Sequence, residues 1–238
     1  MTRICLINLT HLSHIFARRL SLSKRTIFMY NPPHFEETRP EELERIMAGF
    51  PLGALVYLTT DGLDAAHLPF MYKKEDATAG KLIAHVARKN PVWQQVANEG
   101  EVLIIFRGID SYISPNWYPS KHETHRQVPT WNYQVVHVHG KIRFTEDPKF
   151  LRAAVGLLTR IHEERVKEAK PWKMSDGDKD YIDAQIAAIV GIEIDITRIV
   201  GKSKLSQNRE LRDKLGAIQQ LRLRGETAAA DAMEKALK

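Results

Sequence analysis

Three clusters of residues have the types and spacings that chemistry needs, and the first combines two cations with a helix start. His85, Arg88, Lys89 and Asn90 follow the end of a predicted strand, and Asn90 with Pro91 is a typical helix cap. Free N–H groups at a helix start favour an anion, and an arginine beside them can hold a phosphate through two hydrogen bonds. The cluster therefore predicts a phosphate contact. An ordinary cap flanked by surface cations is an equal alternative.

The second cluster lies in residues 201–209 and is rich in hydrogen-bond donors. It contains Lys202, Lys204, Arg209 and the amide of Gln207, and it precedes a predicted helix. Such donors suit a phosphate or the polar edge of a nucleotide-like ring. A linker into a solvated helix has the same composition, so this alternative stays open.

The third cluster is a loop-like stretch, residues 111–130, followed by Trp131 and Asn132. It is dense in Trp, Tyr and His and contains three prolines. Aromatic faces beside amide and hydroxyl groups suit a flat heteroaromatic ligand. Long loops in compact domains are frequently functional, which favours a ligand over the alternative of aromatic rings packed beneath the loop.

Ten histidines raise the question of a metal site. His137 and His139 share one strand face, but no carboxylate-bearing zinc motif accompanies them, and we predict no metal site. His67 precedes Pro69 in a predicted strand, where it either lines a pocket or is a satisfied core histidine. No Gly-x-Ser-x-Gly motif occurs, and the single cysteine, Cys5, lies before the main body. An enzyme with this sequence would therefore need a cofactor to carry its reaction.

The elements that must position these clusters are strands early in the chain and helices late. Strands are predicted over 52–59, 63–72, 81–87, 101–106, 131–144 and 192–197, with Asp61 and Gly62 as a hairpin turn. Helices are predicted over 38–48, 90–98, 147–165 and 178–189, and two more follow residue 201, separated at Gly225. This order indicates an α+β fold, a mostly antiparallel sheet or barrel with flanking helices and a helical C-terminus. The absence of a Gly-x-Gly-x-x-Gly or P-loop motif argues against a Rossmann or NTPase site.

The charge of the chain is unevenly distributed. The 238 residues carry a net charge of +6, but residues 1–28 hold five cations and no acid, so the rest is nearly neutral. We predict that residues 1–28 are an upstream extension, with a targeting peptide as the alternative. The body is then a cytoplasmic protein that starts near Met29. Residues 198–238 carry ten basic and five acidic side chains, which suits a phosphate-bearing partner or a solvated helix face.

Several motifs together resemble one known family. They are Tyr30–Phe35, His67–Phe70, His85–Trp93, Tyr112–Tyr118, Val128–Tyr133 and Gly201–Arg209. By these motifs, in this order, the chain is identified as a member of the PaiB family. The resemblance implies an FMN-binding split β-barrel over residues 29–200, similar in shape to pyridoxamine-phosphate oxidase-like flavoproteins, with 201–238 completing the same unit. It also implies a homodimer with flavin sites at the subunit interface.

The resemblance assigns the three clusters to one FMN site. The implied cofactor-binding residues are His67, Pro69, His85, Arg88, Lys89, Asn90, Trp131, Asn132, Lys202, Lys204 and Gln207. The first cluster would hold the ribityl phosphate, and the strand with His67 would approach the isoalloxazine ring. Trp131 and Asn132 would flank the ring or the neighbouring subunit. The second cluster would close over the site from the second chain.

Three functions fit an FMN-binding protein of this family. Its members are labelled negative transcriptional regulators, which is the first interpretation. A flavin-dependent oxidoreductase acting on a small molecule and a flavin sensor without turnover are the alternatives. The last predicted helix, residues 226–237, carries three acids and no Arg, Asn or Gln to read base edges. Direct DNA binding is therefore possible but poorly supported, and no membrane association is expected.

Overall fold

The sheet begins with the hairpin that Asp61 and Gly62 predict. In the computed structural model, which describes residues 29–76 and 78–237, β1 (Glu36–Glu37) and α1 (Pro40–Gly49) precede β2 (Leu52–Thr59) and β3 (Gly62–Pro69). Gly62 has a φ of 122°, which side-chain-bearing residues rarely adopt. The predictions made for residues 1–28 lie outside the described residues.

The remaining elements complete an antiparallel sheet and its helices. They are β4 (Met71–Lys73), β5 (Lys81–Ala87), α2 (Val92–Gln95), β6 (Glu101–Ile113), α3 (Pro119–Thr124), β7 (Thr130–Thr145), α4 (Pro148–Val166), α5 (Lys179–Ala187), β8 (Ile189–Lys204), α6 (Leu211–Leu223) and α7 (Thr227–Lys235). The strand order is β3-β2-β6-β7-β8-β5-β4, and β1 pairs with β8. Every pairing is antiparallel, and the predicted α+β class is confirmed. No helix in the described part of the chain combines the length and apolarity that crossing a bilayer requires.

Alternate side chains of the strands point into one apolar core. Because strand side chains alternate between faces, each of the long strands contributes every second residue. The core includes Leu55, Leu82, Ile104, Val138 and Ile194, and α1 packs Ile46 and Met47 against it. The strands therefore curl around an interior that side chains fill.

The barrel wall is split between β3 and β5. β3 runs through Phe70 directly into β4, which pairs with β5, but the ladder between β4 and β5 stops at Met71 and Ile83. Phe70 donates its N–H to the Pro51 carbonyl, on the β2 side, at 2.9 Å. Since backbone direction alternates along a strand, the nitrogen of Pro69 faces β5, and proline has no N–H to donate. No strand pair in residues 29–76 and 78–237 joins β3 to β5, although the two strands touch.

Ionic contacts cover the outer surface on one side of the barrel. The Glu193 carboxylate on β8 accepts hydrogen bonds from Lys81 at 3.1 Å and Arg143 at 2.5 Å. Asp195, two residues further along β8, forms ion pairs with the same two basic side chains. On this side α4 also packs Ala154 and Leu158 against β4 and β5.

The ends of β6, β7 and β8 extend beyond the barrel and carry the C-terminal helices. Ile113, Leu205 and the fully buried Tyr118 pack with α6 and α7 in a second apolar cluster. The polar segment 201–204, predicted to lie after the last strand, is the last part of β8. The helix predicted over 90–98 is wrong in length, since α2 ends at Gln95 and Val96 turns into the core with 7% of its surface exposed.

Candidate functional site

The first set of predicted residues meets at the split. Continuing the register of β4 and β5 would place Pro69 opposite His85. Because Ile83 pairs with Met71, the backbone N–H and C=O of His85 point toward β3. His67 is exposed on the outer surface two residues before Pro69. The three predicted residues therefore border one opening in the barrel wall.

The imidazole of His85 is half-buried at this opening. Its Nδ1 is buried and has no hydrogen-bond partner among residues 29–76 and 78–237. Burial lowers the pKa of His85, so the ring is neutral at pH 7. His67 is the better-exposed imidazole for exchanging a proton with a small molecule.

Arg88 is anchored at the same end of the barrel. Its Nε donates to the Ala187 carbonyl at 2.8 Å, and its Nη2 donates to the Ile189 carbonyl at 3.2 Å. Its Nη1 donates to the carboxylate of Glu146. A guanidinium carries five N–H groups, so two remain after these three contacts with described residues. The sequence pattern identified the cation but not its tie to α5, β8 and Glu146.

Lys89 and Asn90 have different parts in the turn after β5. Lys89 is exposed and makes no hydrogen bond or ion pair with any described residue. The Oδ1 of Asn90 accepts the N–H of Val92 at 3.0 Å, as the predicted cap requires. α2 has only four residues, so few peptide dipoles add up at its start. An anion at this turn would therefore interact mainly with the charge of Lys89.

Lys202 and Lys204 lie on the outer face at the far end of β8. Lys204 donates to the Thr130 hydroxyl at 2.5 Å and to the Trp131 carbonyl. Lys202 is 6% exposed, and its ammonium lies 5.5 Å from the centre of the Tyr133 ring. Burial, followed by the charges of Lys202 and Arg209, lowers the pKa of Lys204. Cations that crowd one another in this way gain stability when an anion binds.

An exposed aromatic pair stands beside this cationic end. Trp131 is 54% exposed and meets Tyr112 edge to face, with 5.9 Å between ring centres. The two residues are opposite one another in the ladder of β6 and β7. Exposed aromatic rings of this kind offer a surface for a flat ligand or for a partner protein.

Asn132 and Gln207 are held inside the protein behind that end. The Nδ2 of Asn132 donates to the Ser206 hydroxyl at 3.0 Å, and only 2% of Asn132 is exposed. Gln207 donates to the Ser203 carbonyl at 2.5 Å and accepts the Leu205 N–H at 2.7 Å. Both side chains fix the turn that follows β8. Ser206, a member of the second cluster, has a φ of 66° in that turn, which the sequence pattern did not predict.

The structure does not bring all the predicted residues together. His67, Pro69, His85, Arg88, Lys89 and Asn90 gather at the split, whereas Trp131, Asn132, Lys202, Lys204 and Gln207 gather at the other end of β8. The two sets lie on opposite sides of the outer face. His67, Ala54, Ile105, His137 and Val200 are in register on five neighbouring strands. Four strand spacings of about 4.8 Å, or about 19 Å, therefore separate His67 from the part of β8 that carries Lys202.

The outer face between the two sets is apolar. Leu52, Leu58 and Leu63 on β2 and β3 are 63%, 67% and 77% exposed. Beside them, Leu103 and Ile105 of β6 are half-buried on the same face. An exposed apolar surface of this extent in a folded chain is typical of a protein interface.

His137 and His139 continue this face onto β7. Burial lowers the pKa of both imidazoles, and Arg198 and His137 lower that of His139 further. No group of three or more His, Cys, Asp or Glu in the described part of the chain could hold a metal ion.

Comparison with known proteins identifies the family. Residues 29–198 match the family described as "Putative FMN-binding domain". Over 193 residues the sequence is 31% identical to the protease synthase and sporulation protein PAI 2 of Bacillus subtilis, a match that covers 81% of this chain and 89% of that protein. The chain belongs to the PaiB family. The resemblance inferred from the motifs is confirmed, and so is FMN as the cofactor of the domain.

Other comparisons agree with membership of the PaiB family. The chain is 30% identical to an uncharacterized protein of Emericella nidulans, over 80% of this chain and 89% of that protein. Its fold resembles that of the FAD and heme binding protein from Mycobacterium smegmatis, with a TM-score of 0.51 over 76% of this chain and 79% of that chain. At 13% identity this likeness is one of fold alone. The PaiB-family chain thus has the predicted split-barrel fold.

Proposed function

We propose that the chain acts as a homodimer that binds FMN between subunits. The observation that carries the proposal is that the apolar outer face separates the two residue sets. A partner in antiparallel arrangement across this face would bring its cationic end to the split. The roles below are those that this arrangement favours.

The split suits the phosphate and the ring of FMN. Arg88 keeps two free N–H groups, and Lys89 has no partner among the described residues, so together they match a phosphate dianion. The backbone edge of His85 and the strand at Pro69 offer polar groups to the isoalloxazine ring. FMN bound here would supply reversible electron transfer. The donor set of this chain therefore fits the cofactor of its family.

The partner subunit would cover the ring from its own cationic end. Trp131 presents an aromatic face, and Lys204 presents a positive charge whose pKa burial and the neighbouring cations lower. Lys202 lies beside it on the same face of β8. Asn132 and Gln207 would act indirectly by holding this end in shape. The apolar face on β2, β3 and β6 would supply the contact area that joins the two chains.

The function that this site supports best is flavin-dependent oxidation or reduction of a small molecule. His67 is exposed beside the split, where it could exchange a proton with a substrate. Regulation of transcription is the second candidate, and its support is the kinship with a sporulation protein. In α6 the Arg222 guanidinium is already paired with Asp231 and Glu234, which leaves it poorly available to DNA phosphates. A cytoplasmic location stays a prediction.

Mixing two variants tests the shared site directly. Lys89→Ala removes a contact at the split, and Lys204→Ala removes one at the partner's end, so each homodimer should bind FMN weakly. After subunit exchange in equal amounts, half of the dimers are mixed and each regains one native site. A quarter of all sites should then bind FMN with native affinity, as measured by quenching of flavin fluorescence. Lys149→Ala, an exposed cation outside both sets, is the control and should bind normally.

Each outcome of the mixing experiment has a clear meaning. Failure of the mixture to regain any native site, with both variants dimeric, would show that the two residue sets do not share a cofactor. Native binding by both homodimers would remove these lysines from the site. Turnover of NAD(P)H with an electron acceptor would then favour the oxidoreductase. Salt-sensitive binding that distinguishes one promoter from random DNA would favour the regulator.

A further inference from the structure

Two histidines lie in the middle of the apolar outer face. In the sheet, His137 of β7 is opposite Ile105 of β6 and Val200 of β8. His139 is opposite Leu103 of β6 and Arg198 of β8. Both imidazoles are already half-buried in one chain, without a partner subunit.

Charged groups of both signs surround these imidazoles. On β8, Arg198 faces His139 and lowers its pKa, and Lys202, opposite Glu36 of β1, lies one outward position beyond Val200. On β6, Glu101 is the acidic group that acts on His139, while Arg107, which is paired with Asp110, lies on the same face opposite Val135. On β7 itself, Lys141 follows His139 on the outer face, opposite Glu101. A proton added to His139 therefore meets the charge of Arg198, and the ladder partners of His137 are both apolar.

We propose that this face is a pH-sensitive interface, at which protonation of His137 and His139 separates the two subunits. The proposal rests on the homodimer proposed above. In the dimer, the two histidines of each chain would be covered by the apolar face of the partner, together with Arg198. Neutral rings can be buried there, whereas imidazolium ions would be buried beside one another and beside Arg198, and each would lose its hydration.

The direction of the pH effect follows from linkage. The pKa of both imidazoles is lowered by burial in the single chain, and covering them in the dimer would lower it again. Dimer stability is therefore complete above the usual histidine pKa of 6.5 and is lost as pH falls through the lower pKa that the imidazoles have in the free chain. Once the imidazoles of the free chain are protonated, the dissociation constant should rise about tenfold for every unit by which the pH falls, for each imidazole that the interface keeps neutral.

Analytical ultracentrifugation of the purified full chain at about pH 7.5 and about pH 5.5 tests the proposal. We expect a dimer at the higher pH and a dissociation constant at least tenfold larger at the lower pH, with unchanged circular dichroism. The double variant His137→Gln/His139→Gln should keep its dissociation constant at both pH values. His122→Gln, at an exposed position on α3, is the matched control and should behave as the unmodified chain does.

The outcomes separate this proposal from the homodimer itself. A dimer whose dissociation constant is the same at both pH values would overturn the pH effect and leave the dimer standing. A monomer at every pH would overturn the dimer and the pH effect together. If the double variant does not dimerise, calorimetry of dilution in buffers of different ionisation enthalpy gives the same test on the unmodified chain. Uptake of at least one proton per chain on dissociation supports the proposal, and uptake of none overturns it.

Discussion

With the flavin phosphate on Arg88, as proposed above, Glu146 repels the phosphate, so Glu146→Gln should tighten FMN binding about threefold at physiological salt. The carboxylate of Glu146 accepts a hydrogen bond from Arg88 at the split, where the flavin phosphate is proposed to bind. The side chains are 56% and 38% exposed, so the ion pair itself adds little to stability. The substitution therefore removes negative charge from the site without loosening the fold.

The threefold figure follows from the geometry of the guanidinium. A phosphate on the two remaining N–H groups would lie about 6 Å from Glu146 and carry a charge of about −2. Coulomb's law in water then gives a repulsion of about 1.4 kcal/mol. At about 0.15 M salt the Debye length is about 8 Å, which leaves about half of that repulsion and a threefold change in affinity. At about 0.01 M salt the change should reach about sixfold.

The assay compares FMN with riboflavin, which lacks the phosphate. Flavin fluorescence titrations of the Glu146→Gln variant should show tighter FMN binding and unchanged riboflavin binding. Glu168→Gln, at an exposed position without a partner among the described residues, controls for net charge. An FMN affinity that stays the same at low salt would refute the role of Arg88 in holding the phosphate. Equal tightening of both flavins would assign the effect to the ring.

Three further substitutions test the structure around the site. Gly201→Ala should lower the free energy of unfolding by about 1–3 kcal/mol in urea titrations, because an added Cβ would lie 2.7 Å from the Glu37 carbonyl oxygen; Gly49→Ala, with nothing within 4 Å, is the control and should not be destabilised. Burial raises the pKa of Glu193, but its hydrogen bonds to two basic side chains outweigh this and hold the pKa below 4.5. Its stabilisation is therefore complete above pH 4.5 and lost as pH falls through the lower folded-state value, so Glu193→Gln should flatten the loss of urea stability between about pH 5 and pH 2. Asp213→Asn should lower the free energy of unfolding by about 1–3 kcal/mol in the same assay. The buried carboxylate accepts the N–H of Ser120 with one oxygen and its hydroxyl with the other, and the amide of Asn keeps only one of these two oxygens.

Local patterns were sufficient to predict the strands that face both core and solvent. The bounds of β2 and β5 agree with the sequence prediction because apolar alternation and turn residues mark both ends. The last part of β8 has no such pattern. Lys202 lies against an aromatic ring, and Ser203 accepts a hydrogen bond from Gln134, so both faces of the strand are polar. Pairing with β1 and β7, both distant in sequence, makes this segment a strand.

The residue types of the candidate site were predictable from the sequence, but the positions of these residues in the fold were not. Cations next to Asn90 and after Gly201 indicated an anion, and the exposed Lys89 fits that prediction. Nothing in the local sequence showed that Arg88 binds carbonyls that follow it by about a hundred residues. The burial of the Asn132 side chain on β7 was equally hidden, because its partner Ser206 is distant in the chain. Long-range pairing decides which candidate residues reach the surface.

Pro69 links the local sequence to the proposed function. Its missing N–H faces β5, so the ladder between β4 and β5, which ends at Met71 and Ile83, does not continue into β3. The wall then opens at the point where the backbone N–H and C=O of His85 face the gap toward β3. Arg88 and Lys89 come next in the chain. A proline in a strand usually marks an edge, and here the edge lies inside a barrel wall. The opening leaves free the backbone groups that a closed barrel would consume in its own ladder. In the proposed dimer these groups are available to a flat cofactor, and the cationic end of the second chain covers it.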